Sequence, residues 1–260
     1  MKFIKISSNI GAMDKKKGIE LAPGLIVKHM KDFFLKENDL LPIFDVSEID
    51  VDGLNMQNNN KKIFEYIAQT DCPAVILGGD HSITYPCFKA FSKKFDNPGL
   101  IIFDAHPDCE NNFSPPTHED FLKVLIIKNH VKAENVVLVG LRNMHSKELE
   151  FLKKNKIKYF AMKEFSCDGC MEVSDAFMNV SRRFDALYLS IDIDVVDPAF
   201  APGTGYIEPG GFTSRELLFF IQRIRMLKNL KMADIVEVNP KKDVNNITVK
   251  LAAKIAVELC

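Results

Sequence analysis

ALYLSIDIDVVDPAF, residues 186–200, opens with a run of apolar side chains that is scarcely broken by polar ones. A strand has this composition when both of its faces are buried, which requires a parallel sheet covered by helices. Working outward, the pattern recurs in LIIFD (100–104), AVILG (74–78), ADIVEV (233–238), NVVLVG (135–140), IKYFAM (157–162), LPIFDV (41–46) and KFIKIS (2–7). Between these runs, NNKKIFEYIAQ, FKAFSKKF and SRELLFFIQRIRML place apolar residues at helical spacing. Such alternation predicts either a three-layer α/β/α sandwich or an α/β barrel. Periodicity does not separate the two. The open sandwich, with a mainly parallel sheet of about eight strands, is the preferred expectation.

The 260 residues, 47% of them hydrophobic, suffice for one large core, so a single domain spanning 1–260 is expected. Lys and Arg number 34 against 35 Asp and Glu, which gives no basic field for nucleic acid. The opening MKFIKISSNI is too short and too interrupted by lysine for a signal peptide, and no apolar run reaches the ~18–20 residues of a membrane span. The expected location is therefore the cytoplasm. Six cysteines in such a chain are expected to be reduced thiols, and Cys167-Asp-Gly-Cys170, with no second pair, is expected to be a polar turn. Two segments rich in Pro, Gly and Asn, 107–117 and 197–212, follow directly on strand ends. Open α/β sheets place their ligands at such ends.

Three of the strand ends carry acids and histidines. They are Gly78-Gly79-Asp80-His81-Ser82, Asp104-Ala105-His106-Pro107-Asp108 and Asp192-Ile193-Asp194. Taken one at a time, a histidine after a glycine turn is ordinary polar surface, and an aspartate at a strand end often caps the next helix. Asp192 and Asp194, however, sit among strongly apolar neighbours, where an acid is found only paired or bound to a cation. Asp104, Asp108, Asp192 and Asp194 bring four negative charges, and His81 and His106 are neutral ligands. Two divalent cations would neutralise that set. One would leave two carboxylates repelling each other and force protonation. Imidazole and carboxylate without thiolate suit Mn²⁺, with Fe, Co, Ni and Zn as competitors. Cys109, next to Asp108, is expected to be a packing residue.

GGDHS (78–82), DAHPD (104–108), SIDIDVVDPAFAPGTG (190–205) and DIVEVNP (234–240) resemble the four signature blocks of the ureohydrolases, the arginases, agmatinases and their relatives. The blocks stand in family order, and the resemblance runs from GIELAPGLI (18–26) to the last strand and helix, covering most of the chain. It implies a parallel-sheet α/β fold, a binuclear Mn²⁺ site, a small guanidino substrate and a homo-trimer or homo-hexamer. It places the metal ligands at His81, Asp104, His106, Asp108, Asp192 and Asp194. Two cations in such a site supply an activated water to the guanidinium carbon. The resemblance also implies that Glu237 grips the guanidinium through paired hydrogen bonds. His118 is the candidate proton shuttle, imidazole being the natural group for that task near neutral pH. His145 is a weaker candidate for the same role.

The chain departs from the family around the substrate's far end. Asn143 and His145 stand where arginases carry aspartates, Tyr206 where arginases and agmatinases carry threonine, and the loop DCENNFSPPTHED (108–120) lacks the arginase pattern. With the amino-acid clamp missing, agmatine is the expected substrate; arginine, formimidoylglutamate and guanidinobutyrate are the alternatives. A metal-binding homologue without turnover is the non-enzymatic alternative.

Overall fold

The structure, a computed structural model, describes residues 1–13, 17–40, 42–165 and 169–260. Cys167 of the Cys167–Cys170 pair lies outside these residues. Eight strands form one sheet: β1 (Lys2–Lys5), β2 (Asp45–Glu48), β3 (Ala74–Leu77), β4 (Pro98–Phe103), β5 (Val136–Leu141), β6 (Lys158–Ala161), β7 (Ala186–Asp192) and β8 (Leu230–Val236). Their order is β2-β1-β3-β8-β7-β4-β5-β6, and every neighbouring pair is parallel. The sheet is open, so the sandwich expectation holds and the barrel does not.

Successive residues of a strand point to opposite faces, and the central strands supply two cores. Ile101, Phe103, Leu187 and Leu189 pack on one face with residues of α1 (Ala22–Met30), α6 (Gly169–Ser181), α7 (Ser214–Arg225) and α8 (Ile247–Leu259). Leu100, Ile102, Val136 and Leu138 pack on the other with α2 (Met56–Gln69), α3 (Thr84–Ser92), α4 (Phe121–Ile127) and α5 (Ser146–Lys154). Every residue of β3, β5 and β7 is buried, as an uninterrupted apolar run requires. Helix boundaries are set by polar caps: Asn55 accepts from the Asn58 N–H to start α2, and Thr213 and Glu216 form a reciprocal capping box on α7.

One expected strand is displaced. LPIFDV (41–46) was the apolar signal, but pairing with β1 begins at Lys2↔Asp45 and ends at Lys5↔Glu48. β2 is an edge strand with mostly exposed side chains, and its polar sequence DVSE suits that place. Phe44, just before it, packs edge-on against Phe3 with ring centres 5.7 Å apart. Apolarity there marked a packing anchor, whereas backbone pairing set the strand four residues later.

The order of strands positions the site. β3, β8, β7 and β4 lie side by side, so chain segments following residues 77, 103, 192 and 236 meet along one edge of the sheet although they are far apart in sequence.

Candidate metal centre and active site

Each of the four central strand ends delivers acids or histidines by a local device. After β3, the turn Gly78–Gly79 passes so close to the first strand's exit that a Cβ on Gly79 would stand 1.7 Å from the Ser8 carbonyl oxygen. Only glycine permits that approach. Asp80 then accepts the Ser82 N–H at 3.0 Å and the Gly11 N–H at 3.2 Å, and His81 begins a short 3-10 turn. After β4, one oxygen of Asp104 accepts the His106 N–H at 2.6 Å. After β7, Asp192 accepts the Asp194 N–H at 2.8 Å, and Asp194 accepts the Ala105 N–H at 3.2 Å. In Asp104, Asp192 and Asp194 these bonds occupy Oδ1 and leave Oδ2 to face the centre.

The six residues singled out in the sequence converge there. His81 Nδ1 stands 3.2 Å from Asp104 Oδ2, 3.1 Å from Asp108 Oδ2 and 3.3 Å from Asp192 Oδ2. His106 Nδ1 stands 3.1 Å from Asp194 Oδ2 and 3.5 Å from Asp104 Oδ1. Two donor groups able to hold a cation result, His81–Asp104–Asp192 and Asp104–His106–Asp194, and they share Asp104. His81 Nδ1 and Asp104 Oδ2 are buried and without a hydrogen-bond partner. Buried polar atoms in proteins are almost always satisfied, so two such atoms facing each other fit a cation between them. The oxygen and imidazole donors suit a hard or borderline divalent ion. Cys109 is not part of the set: its thiol is buried, bonds the Pro107 carbonyl at 3.2 Å, and burial pushes its pKa well up.

Electrostatics give the same picture. Burial and the neighbouring Asp104 raise Asp108 to about 7. Asp192 is raised well above the carboxylate range by burial and by Asp194 and Asp104, and Asp194 is raised by burial and Asp104. For Asp104, burial is outweighed by the adjacent imidazoles of His106 and His81, which hold it below that range. Burial opposes the imidazolium form of His81 and His106, yet the surrounding carboxylates pull both well above their ordinary value. The site demands positive charge, and in a dry pocket either protons or metal cations must supply it.

Behind His81 lies a buried relay absent from the sequence reading. His81 Nε2 pairs with Ser190 Oγ at 2.8 Å, Ser190 Oγ pairs with Asp234 Oδ1 at 2.6 Å, and Thr84 and Tyr188 each donate to Asp234 Oδ2 at 2.7 Å. The signal was available, since Asp234 is an acid inside the apolar run ADIVEV.

Above the centre opens a cavity of about 170 Å³. Glu237 follows β8 with φ +62°, and Asp108 sits at φ +51°. The left-handed region costs an L-residue roughly 1–2 kcal/mol, and such strain gathers at functional sites. Glu237 Oε1 accepts the His81 N–H at 2.9 Å and lies 3.2 Å from His118 Nδ1. His118 is buried in the cavity wall, and its backbone N–H donates to the Gly11 carbonyl at 3.1 Å. Burial lowers its pKa, but Glu237, through charge and hydrogen bond, more than compensates and raises it to about 9.

Tyr206 joins the two histidines. Its ring stacks on His118 and meets His106 edge-on, and its hydroxyl donates to Glu119 at 3.0 Å. Asn143 and His145 lie exposed at the mouth. Asn143 bonds Glu208, and the backbone N–H of His145 is held by Glu148 at 3.0 Å. Glu110, Glu119 and Glu208 also line the cavity, none of them picked out from sequence. They fall in loops with no periodicity to mark them. Ser114 lines a different cavity, beside α2 and α3.

Residues 6–260 match the model of the Arginase family. An arginase of Staphylococcus aureus (strain MRSA252) is 32% identical over 281 residues, which cover 95% of this chain and 92% of that protein. A formimidoylglutamase of Halalkalibacterium halodurans is 30% identical over 253 residues, covering 92% and 79%. The crystal structure of arginase from Bacillus subtilis superposes with a TM-score of 0.87 at 26% identity, covering 99% of this chain and 97% of that one. With its parallel eight-stranded sheet, and with the family match running almost end to end, the chain belongs to the arginase family of ureohydrolases.

Proposed function

We propose that the chain hydrolyses a guanidino C–N bond in a cationic compound that carries no carboxylate, of the agmatine type, with two Mn²⁺ held by His81, Asp104, His106, Asp108, Asp192 and Asp194. One observation carries the substrate class. Among the described residues, the cavity wall is formed by carboxylates, histidines, Asn143 and Tyr206, with no lysine or arginine. A carboxylate brought into such a wall would lose hydration and meet many like charges, with the His118 imidazolium already engaged by Glu237. Arginine carries one carboxylate and formimidoylglutamate two. Agmatine carries a guanidinium and an ammonium, both complementary to acids.

The residues divide the work. Glu237, fixed by the His81 N–H, accepts N–H groups of the planar guanidinium and orients it. His118, protonated below about 9, stands beside Glu237 and supplies a proton to the departing amine. Tyr206 packs between His118 and His106 and narrows the approach. Glu110 and Glu119 face the far ammonium. Bound divalent cations contribute Lewis-acid activation of water.

The test is kcat/KM for urea release from agmatine and L-arginine, and for hydrolysis of formimidoylglutamate, at matched Mn²⁺ loading. Preference for agmatine is expected. A tenfold or larger preference for either carboxylate-bearing compound overturns the substrate reading, and no turnover of any of the three at full metal occupancy favours the non-catalytic alternative.

A further inference from the structure

The two histidines of the centre present Nδ1 inward, and each therefore turns Nε2 outward. A ring nitrogen can offer its lone pair to a cation only if the proton resides on the other nitrogen, and an acceptor behind the ring decides this. For His81 the acceptor is Ser190, backed by Asp234. For His106, the acidic group beside Nε2 among the described residues is Glu208, whose Oε2 lies 3.3 Å away. That oxygen is buried and without a hydrogen-bond partner, while the second oxygen accepts the Asn143 side-chain N–H.

Glu208 is built to stay there. Its loop leaves β7 and is closed at its base by Asp197 N–H to Phe212 O at 2.8 Å and Phe212 N–H to Val195 O at 3.0 Å. The Asp197 carboxylate holds the Gly210 N–H at 2.6 Å. One guanidinium, that of Arg142, donates both to the Asp194 carbonyl at 2.6 Å and to the Glu208 carbonyl at 2.9 Å. The loop bearing Glu208 is thus clamped to the strand end bearing the metal-type ligands. Arg142 and Asn143 are consecutive, so one short segment fixes both the backbone and the carboxylate of Glu208.

We propose that Glu208 is a positioning residue for His106: it accepts the Nε2 proton and thereby commits the Nδ1 lone pair to the Asp104–His106–Asp194 group, with Asn143 orienting Glu208 rather than touching substrate. The inference rests on reading that group as a cation site. It also gives Asn143 and Glu208, neither part of the ligand set, one shared task.

The test is Mn²⁺ titration of the full chain followed by the loss of the free-ion electron paramagnetic resonance signal. Glu208→Ala should weaken one of two bound ions by about 10–100-fold, the usual effect of removing such a partner, and leave the other unchanged. Glu208→Gln, whose amide oxygen still accepts the Nε2 proton, should recover most of that loss. Asn143→Ala should weaken the same ion by less. Glu119→Gln, at the same cavity but away from His106, should change neither. Thermal unfolding of the metal-free variants guards against a folding defect, and if Glu208→Ala does not fold, Glu208→Gln against Asn143→Ala decides. If the wild-type chain binds no Mn²⁺, the cation site itself is wrong. If it binds two ions and Glu208→Ala and Asn143→Ala retain both affinities, or lose both ions equally, the positioning role alone is overturned.

Discussion

His118 Nδ1 lies 3.2 Å from Glu237 Oε1, the same oxygen that accepts the His81 backbone N–H at 2.9 Å. The proposed proton donor and the proposed guanidinium anchor are therefore in direct contact, and both are tied to the strand end that carries a metal-type ligand. Replacing His118 by Ala should slow urea release by roughly 10²–10⁴-fold, the usual contribution of one positioned acid–base group. Mn²⁺ stoichiometry should not change. A loss of only a few-fold across the pH range would remove His118 from the chemistry.

The same contact has a pH signature in the metal-free protein. His118 is raised from its ordinary value of about 6.5 to about 9 by Glu237. A raised folded-state pKa means that folding favours the protonated form. The stabilisation is fully present below about 6.5 and is lost as pH rises through about 9. His118→Asn should therefore destabilise the metal-free chain at pH 6 and do so much less at pH 10, measured by urea denaturation. An equal effect at both pH values would refute the coupling.

Asp108→Ala and Asp194→Ala should each abolish turnover with loss of at least one Mn²⁺. Each removes a carboxylate whose charge the other ligands cannot replace, since Asp108 and Asp194 belong to different halves of the centre. Metal analysis after gel filtration reads the stoichiometry. A variant that kept two ions and near-full activity would show that its side chain is not a ligand.

Glu110→Gln should raise KM for agmatine by about fivefold to tenfold, equivalent to about 1–1.4 kcal/mol, and leave kcat near its original value. Glu110 lines the cavity, in the loop that follows Asp108. Discrimination against arginine should narrow in the same variant, because one repulsive charge has gone. Unchanged KM for both compounds would place the ammonium elsewhere.

Gly79→Ala is expected to disable the chain before any chemistry. The added Cβ would stand 1.7 Å from the Ser8 carbonyl, a backbone atom that cannot move aside cheaply. Little soluble, folded protein should be recovered by circular dichroism and gel filtration. Wild-type stability would mean that the loop after β1 can shift, and that the close approach is not required.

Residue order alone was enough to announce the parallel sheet, because ALYLSID, AVILG and LIIFD carry apolar side chains for both faces, a demand that only helices on two sides can meet. It was also enough to single out His81, Asp104, His106, Asp108, Asp192 and Asp194, since acids beside apolar strand ends need a counter-charge. Strand order was beyond it. That β8 and β7 lie between β3 and β4 is a matter of long-range pairing, and only this placement brings residues 81, 104, 192 and 237 to one edge. The true start of β2 was hidden because an edge strand is defined by hydrogen bonds that leave no apolar signature. Glu208 and Glu119 were hidden for a related reason: they lie in loops without periodicity, and what they touch depends on clamps such as Arg142 that act across more than fifty residues of chain. Local pattern reports which side chains must be buried or charged; which of them meet is decided by how the strands are ordered and how the loops are tied down.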